Sequence, residues 1–460
     1  MIVPSVGRLG DDGRVPPPRG VRVVLDARPI QEPDRAPLTA AYLDHLLAAF
    51  DAEPLAGESF ALFLQSDLDD PTERLQRLEI VGRRLLPPTR ALRSWAMTID
   101  PFLLRGAALG AAWRAERGGA AGAVYHVVGG GSLPHASGLP VVVTLLDLAP
   151  WEMPEAFQRS FTGRFGQRLR AQLLRDAAAV IVSSEATARA ARRLLHLRPD
   201  RVRVVPLAPR PAFVPRSAPG SASSARGSAP SAVGSASSAR GSAAREVAAA
   251  DDATRALLRD LGIVDRYLVF SGRYDARQDL ATLLRALSSL AEAGRPESLD
   301  PAAAWPPRVV LVGTGPQDRA SLARAAYREG IGRSLAYAPA VPEPVLAGLV
   351  RGARAAILPV VSEAVGLPVI EAIASGTPVV ASAVGALPEI VGMAGLLVEP
   401  RDPARLAVAL ATIWADDEVH QRVASAAMER AMGNQRTWAD VARETRQVYS
   451  QVGVRRGPTA

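Results

Sequence analysis

The chain has 460 residues, 48% hydrophobic and 22% charged, which is apolar surface enough for a sizeable core and excludes a wholly disordered protein. It contains no cysteine, which excludes a disulfide framework, a thiolate metal site and a cysteine nucleophile. All 54 basic residues are arginine and the net charge is +8, but no basic run is interleaved with aromatic residues as a base-stacking platform requires, so a nucleic-acid partner is set aside.

The N-terminal MIVPSVGRLGDDGR lacks the charged-then-apolar layout of a secretory signal, and no apolar run reaches the roughly 18–20 residues of a membrane span. A cytoplasmic protein is expected. Short β-branched runs then alternate with helical stretches: VRVVLDA (21–27), FALFLQ (60–65), AVYHVV (123–128), VVVTLLDL (141–148), AAVIVS (178–183) and VRVVPLA (202–208). They are apolar on both faces, as buried parallel strands are. Asp67-Leu68-Asp69 has the form of a metal-binding DxD, but its place after a strand and before Pro-Thr-Glu-Arg reads as a turn with a helix cap. Phe157, Phe161, Phe165 and Leu169 recur every four residues among arginines. That stripe predicts a helix docked on its sheet, with a membrane-surface helix as the alternative. Ser184 is placed to cap the helix that follows it.

From about 215 to 250 the composition collapses to Ser, Ala, Gly and Arg, with GSASSARGSA at 220–229 and again at 234–243. Such a segment buries too little surface to offset its ordering entropy and is expected to be a disordered linker. Beyond it the βα alternation restarts with YLVFSG (267–272), RVVLVGTG (308–315), AAILPV (355–360) and PVVASA (378–383). The expected organisation is therefore an α/β fold of two Rossmann-like doubly wound domains facing a cleft. The first spans 1–212, the linker 213–252 and the second 253–436, and a final helix at 437–460 packs back on the first.

Ligands of such sheets bind outside the carboxyl ends of the strands. There, PVVSEAVGLPVIEAIASGTPVV (359–380) places a strand, a loop at 362–366 and a helix opened by Pro368. Gly366 admits close backbone approach, and the amides opening the helix suit a diphosphate. Glu371 lies about 4.5 Å further along the axis, where a carboxylate accepts from a ribose diol. Glu363, in the loop, would face the sugar side. Read structurally, both glutamates are helix-start residues that favour the macrodipole.

This segment resembles the E-x7-E signature of retaining glycosyltransferases of family 4, which have the two-domain GT-B fold. SGRYDARQDLATLLRAL (271–287) resembles that family's phosphate-binding segment, and LVGTGP (311–316), ASAVGALPEIV (381–391), AGLLVEPRDPARLA (394–407) and TWADVARETRQVY (437–449) follow in its order. The resemblance implies a retaining hexosyltransferase using a UDP-, GDP- or ADP-linked sugar as donor, with no other cofactor and no metal, in polysaccharide biosynthesis. Arg273, Arg277, Gly315, Val365, Gly366, Leu367 and Glu371 would bind the donor. Glu363, Asp147 and His126 would be the residues at the reacting sugar. The acceptor would be a glycan, a lipid-linked sugar or a small molecule, with peripheral contact at the inner face of a membrane.

Four features depart from the family pattern: Gln278 stands where Lys is common, Leu146 replaces the His of a His-Asp pair, and, third, Ala36, Ala40 and Ala41 replace glycines of an N-terminal loop. The fourth, Ala208-Pro209-Arg210, replaces Gly-Val-Asp. These departures support an alternative, a catalytically weakened relative acting as a nucleotide-sugar-binding partner or scaffold.

Overall fold

The computed structural model describes residues 21–87, 100–108, 110, 122–215, 235–272, 274–433 and 435–453. The β-branched runs become two parallel sheets. The first has the order β3-β2-β1-β4-β5-β6-β7, with β1 Arg22–Asp26, β2 Ser59–Gln65, β3 Ile80–Leu86, β4 Ala123–Val128, β5 Val141–Thr144, β6 Ala179–Val182 and β7 Val202–Val204. The second has the order β10-β9-β8-β11-β12-β13, with β8 Leu268–Ser271, β9 Val309–Val312, β10 Leu335–Ala338, β11 Ala355–Leu358, β12 Val379–Ser382 and β13 Gly395–Val398. These are the two doubly wound sheets of the GT-B fold. Contacts divide the chain into two compact units: Met1–Thr144 with Asp176–Ala179 and Ala442–Ala460, and Leu145–Arg175 with Val180–Val441.

In the first unit, the helix Pro37–Ala52 buries Tyr42, Leu43, Leu46, Leu47 and Phe50, a helical spacing, and Phe50 meets Phe60 of β2 at 5.3 Å between ring centroids. The last helix, Trp438–Gly453, supplies this unit with Arg446 and Tyr449. Arg446 donates to both oxygens of buried Glu58, Nε to Oε1 at 2.9 Å and Nη2 to Oε2 at 2.7 Å. Its guanidinium also lies over the Phe50 ring. Asp70 caps the short 3-10 helix Pro71–Arg74 by accepting from the Thr72 N–H at 2.8 Å, so the cap falls one residue beyond Asp67-Leu68-Asp69.

In the second unit, Phe270, Val310, Ile357, Val380 and Trp414 lie in one buried cluster between the sheet and its helices. The strand order reverses at β8, whose neighbours are β9 and β11. The loops leaving the carboxyl ends of β8 and β11 therefore run side by side. They are stitched together by the Asp279 N–H to the Pro359 carbonyl and the Val361 N–H to the Arg277 carbonyl, both at 2.8 Å.

Two expectations change. Of the segment read as a linker, 216–234 lies outside the described residues, but a helix covers Ser235–Asp260. The physical reason is alanine, the strongest helix former, which recurs through it. The Phe stripe is not the docked face of the helix Phe161–Asp176 either, because that helix buries Gly166, Arg170, Leu173 and Leu174. Phe161 is 77% and Phe165 49% exposed. The inward arc is turned away from the Phe positions, and the buried Arg170 guanidinium is held over the Trp151 ring at 5.7 Å.

Candidate donor site

The site lies in the second unit at the switch point. The helix Leu367–Ala374 starts from Gly366 in the left-handed region (φ 70°), where an added Cβ would lie 2.7 Å from Ile390 Cδ1. The loop before it is pinned on several sides. Ser183 and Thr187 hydroxyls donate to the Ala364 carbonyl at 2.8 and 2.6 Å, and the Ser362 hydroxyl donates to Glu152 Oε2 at 2.5 Å. The Ala386 N–H donates to the Glu363 carbonyl at 3.0 Å. Ser184 caps its helix as expected, accepting from the Thr187 N–H at 3.0 Å.

Partly buried Glu363 folds back on its own loop: Oε1 accepts from the amides of Val365 at 3.1 Å and Gly366 at 2.8 Å. Burial pushes its carboxyl above the usual carboxylate range, against the pull of those two amides and of Arg277. Two of the three amides assigned to the diphosphate thus hold an anion already, the Glu363 carboxylate. The third, on Leu367, opens the helix. Burial also pushes the Glu371 carboxyl up, opposed chiefly by Arg210. Arg210 grips both of its oxygens, Nε to Oε1 at 2.5 Å and Nη2 to Oε2 at 3.0 Å.

Arg277 donates through Nε and Nη2 to Asp275, at 3.0 and 2.5 Å, and through Nη1 to Asp147 Oδ2 at 3.1 Å. Burial draws its pKa down, but the two carboxylates outweigh that and raise it. Asp147 Oδ1 accepts from the Ala149 N–H at 2.9 Å. Arg277 and Asp147 are therefore brought together with Glu363, and Arg277 faces two carboxylates of its own chain. Gln278, beside it, has a buried Oε1 without a hydrogen-bond partner among the described residues. Gly315 sits past the carboxyl end of β9 and precedes the helix Pro316–Arg328. Arg273 lies outside the described residues.

His126 belongs elsewhere. It is 0% exposed in the first unit, with Nε2 2.9 Å from Thr144 Oγ1 and Nδ1 2.7 Å from the Tyr449 hydroxyl. Burial pulls its pKa down to about 3. Both ring nitrogens are used by hydroxyls, so the imidazole is a neutral packing element and not a substrate contact. A polar cluster that no sequence motif announces stands at the carboxyl end of β1 in that unit. There Arg28 bridges Asp26, at 2.8 and 2.7 Å, and Asp100, at 3.2 Å. LDARPI contained the first pair; Asp100 is remote in sequence.

Two parallel sheets of Rossmann order, the second carrying a glutamate-flanked helix start at its switch point, define the two-domain α/β GT-B class. Residues 265–416 match the family "Glycosyl transferases group 1" and residues 68–208 the family "Glycosyltransferase Family 4". The chain belongs to these family 4-type glycosyltransferases. It is 32% identical over 216 residues to a D-inositol 3-phosphate glycosyltransferase of Corynebacterium kroppenstedtii, covering 45% of each chain. It is 31% identical over 186 residues to the O-antigen chain mannosyltransferase B of Escherichia coli, covering 40% of this chain and 45% of that one. The chain thus spans somewhat less than half the length of the curated relatives it matches. Among solved structures, sucrose-phosphate synthase of Thermosynechococcus elongatus aligns with a TM-score of 0.64 at 20% identity, covering 94% of this chain and 98% of that one. The Anabaena protein HepE, solved with UDP and glucose, aligns at 0.61 and 16%, covering 94% and 100%.

Proposed function

We propose that the protein transfers a sugar from a nucleotide-sugar donor to an acceptor hydroxyl with retention of anomeric configuration and without a metal ion. The observation that carries this reading is the helix Leu367–Ala374, which combines loop amides at its start with Glu363 before it and Glu371 within it. In this reading the amides of Val365, Gly366 and Leu367 and the guanidinium of Arg273 stabilise the leaving diphosphate. Glu363 swings off its own amides to meet the sugar or its phosphate, and Glu371 accepts from the ribose. The bond from the anomeric carbon to the diphosphate breaks as the acceptor oxygen attacks on the same face. The acceptor proton passes to the departing phosphate oxygen, so no strong protein base is needed.

UDP is the favoured nucleotide because HepE was solved with it. The acceptor is a glycan, a lipid-linked sugar or a small molecule, the last in line with the D-inositol 3-phosphate glycosyltransferase among the relatives. Exposed Phe161 and Phe165 beside exposed Arg164 and Arg168 support peripheral contact with an anionic membrane surface. A second reading, a nucleotide-sugar-binding partner of low activity, is favoured by Gln278 and by Arg277 being held between Asp275 and Asp147.

Calorimetry with UDP, GDP and ADP, followed by donor hydrolysis assays with the matching sugar nucleotides, separates them. The expected result is binding of one diphosphate, weakened at least about tenfold in Glu371→Ala, with slow donor hydrolysis. Binding without hydrolysis or transfer selects the partner reading. Undiminished binding by Glu371→Ala removes the ribose role.

A further inference from the structure

This inference rests on the donor-site reading above and concerns what stands in front of Glu371. Only 3% of the Glu371 side chain is exposed, and the Arg210 guanidinium covers both of its oxygens. A vicinal ribose diol binds a carboxylate through those same two oxygens, so guanidinium and diol compete for one fork. The guanidinium lies over the ring of buried Phe213, 4.9 Å from its centroid. Its remaining edge already faces a second carboxylate, with Nη1 3.5 Å from Glu343 Oε2. Arg210 therefore has one tight and one loose partner, and a flat aromatic surface beneath it on which a planar cation keeps a favourable contact while it shifts.

We infer that Arg210 is a latch on the ribose carboxylate. Donor binding moves the guanidinium from Glu371 to Glu343, and the ribose hydroxyls take the oxygens it leaves. Charge stays balanced: Arg210 remains paired, and Glu371 exchanges two N–H donors for two O–H donors. Part of the affinity that the hydroxyls contribute is cancelled by the ion pair they displace, so the latch sets how strongly the protein tells a ribonucleotide from one without the diol.

The test titrates UDP, GDP and ADP, then the 2′,3′-dideoxy form of whichever binds, against wild type, Arg210→Gln and Glu343→Gln. The latch predicts that the preference for the ribonucleotide rises about tenfold in Arg210→Gln, where no guanidinium competes for the two Glu371 oxygens. It predicts that the preference shrinks below the wild-type value in Glu343→Gln, where the displaced guanidinium has no carboxylate to receive it. Glu343 is partly exposed and its replacement leaves the Arg210–Glu371 pair intact, so this arm decides the matter even where Arg210→Gln does not fold. A preference that falls in Arg210→Gln, or does not change in Glu343→Gln, overturns the latch and makes Arg210 a clamp that positions Glu371 for the ribose. Failure of all three proteins to bind any diphosphate overturns the donor-site reading and the latch with it. Normal diphosphate binding with an unresponsive preference overturns the latch alone.

Discussion

Single residues owe their roles to partners far away in the chain. The positions of Glu363, Glu371 and Asp147 were legible because strand ends, a loop and a helix start fix the local backbone, and Arg277 entered through the likeness of 271–287 to the family's phosphate-binding segment. Their partners were not legible in the same way: Arg210 is 161 residues from Glu371, and Asp147 is 130 from Arg277. The visible signal was Ala208-Pro209-Arg210 where the resemblance leads one to expect Gly-Val-Asp, a charge reversal that the structure sets against Glu371 and Glu343. His126 shows the converse, since its place at a strand end before three glycines resembled a site position. Nothing local announced that Tyr449, 323 residues on, closes over it.

That enclosure has a pH signature. The folded chain keeps His126 neutral down to about pH 3, while the unfolded chain protonates it at the ordinary value of 6.5. Between those two values the unfolded state binds more protons, so stability falls as pH drops, by about 1.4 kcal/mol per unit from this group. NMR of the folded protein is expected to show a His126 ring that does not titrate between pH 7.5 and 5. A midpoint near 6.5 would mean that the ring is open to solvent.

Among elements, the strands missed in the sequence were β3, β10 and β13, and all three are sheet edges. A buried parallel strand reads as a continuous apolar run, but an edge strand has less to cover. In β3, IVGRRLL is exposed through its centre, and β13, GLLV, is only partly buried. β10 is LAYA, too rich in alanine to show as β-branched. The site elements were easier to place because central strands position them.

Their precision depends on Gly385 in the loop after β12. It sits at φ 53°, and an added Cβ would lie 1.8 Å from the Glu363 carbonyl oxygen, a backbone atom that cannot turn aside. Gly385→Ala must therefore push the 362–366 loop away from its partners and place alanine in a left-handed conformation that costs about 1–2 kcal/mol. The expected outcome is a loss of nucleotide affinity of about tenfold or more, with the circular dichroism of the sheets unchanged. Affinity equal to wild type would show that the position of this loop does not govern the donor site.

At the scale of the whole molecule, chain order and packing part company at the end. The last helix follows the second sheet in sequence, yet from Ala442 it belongs to the first unit. Before that point Trp438 donates through Nε1 to the Pro209 carbonyl at 3.1 Å; beyond it Arg446 pairs with Glu58, and Tyr449 meets His126 and Phe50. A chain ending at Val441 would leave Glu58, 5% exposed, as an unpaired carboxylate and His126 Nδ1 without its hydroxyl. Breaking a buried ion pair by removing one partner costs about 3–5 kcal/mol, a large share of a domain's stability. The cost should fall on one unit. Hydrogen exchange of the truncated chain is expected to show lost protection in β1, β2 and β4, while β8, β11 and β12 stay protected. The point variant Arg446→Leu breaks the pair with Glu58 but keeps Tyr449 and the rest of the helix in place, so it should reproduce the pattern more weakly. Uniform loss across both sheets would mean that the two units unfold as one, and unchanged protection in β1 and β4 would mean that the helix is an accessory to the first unit and not part of its core.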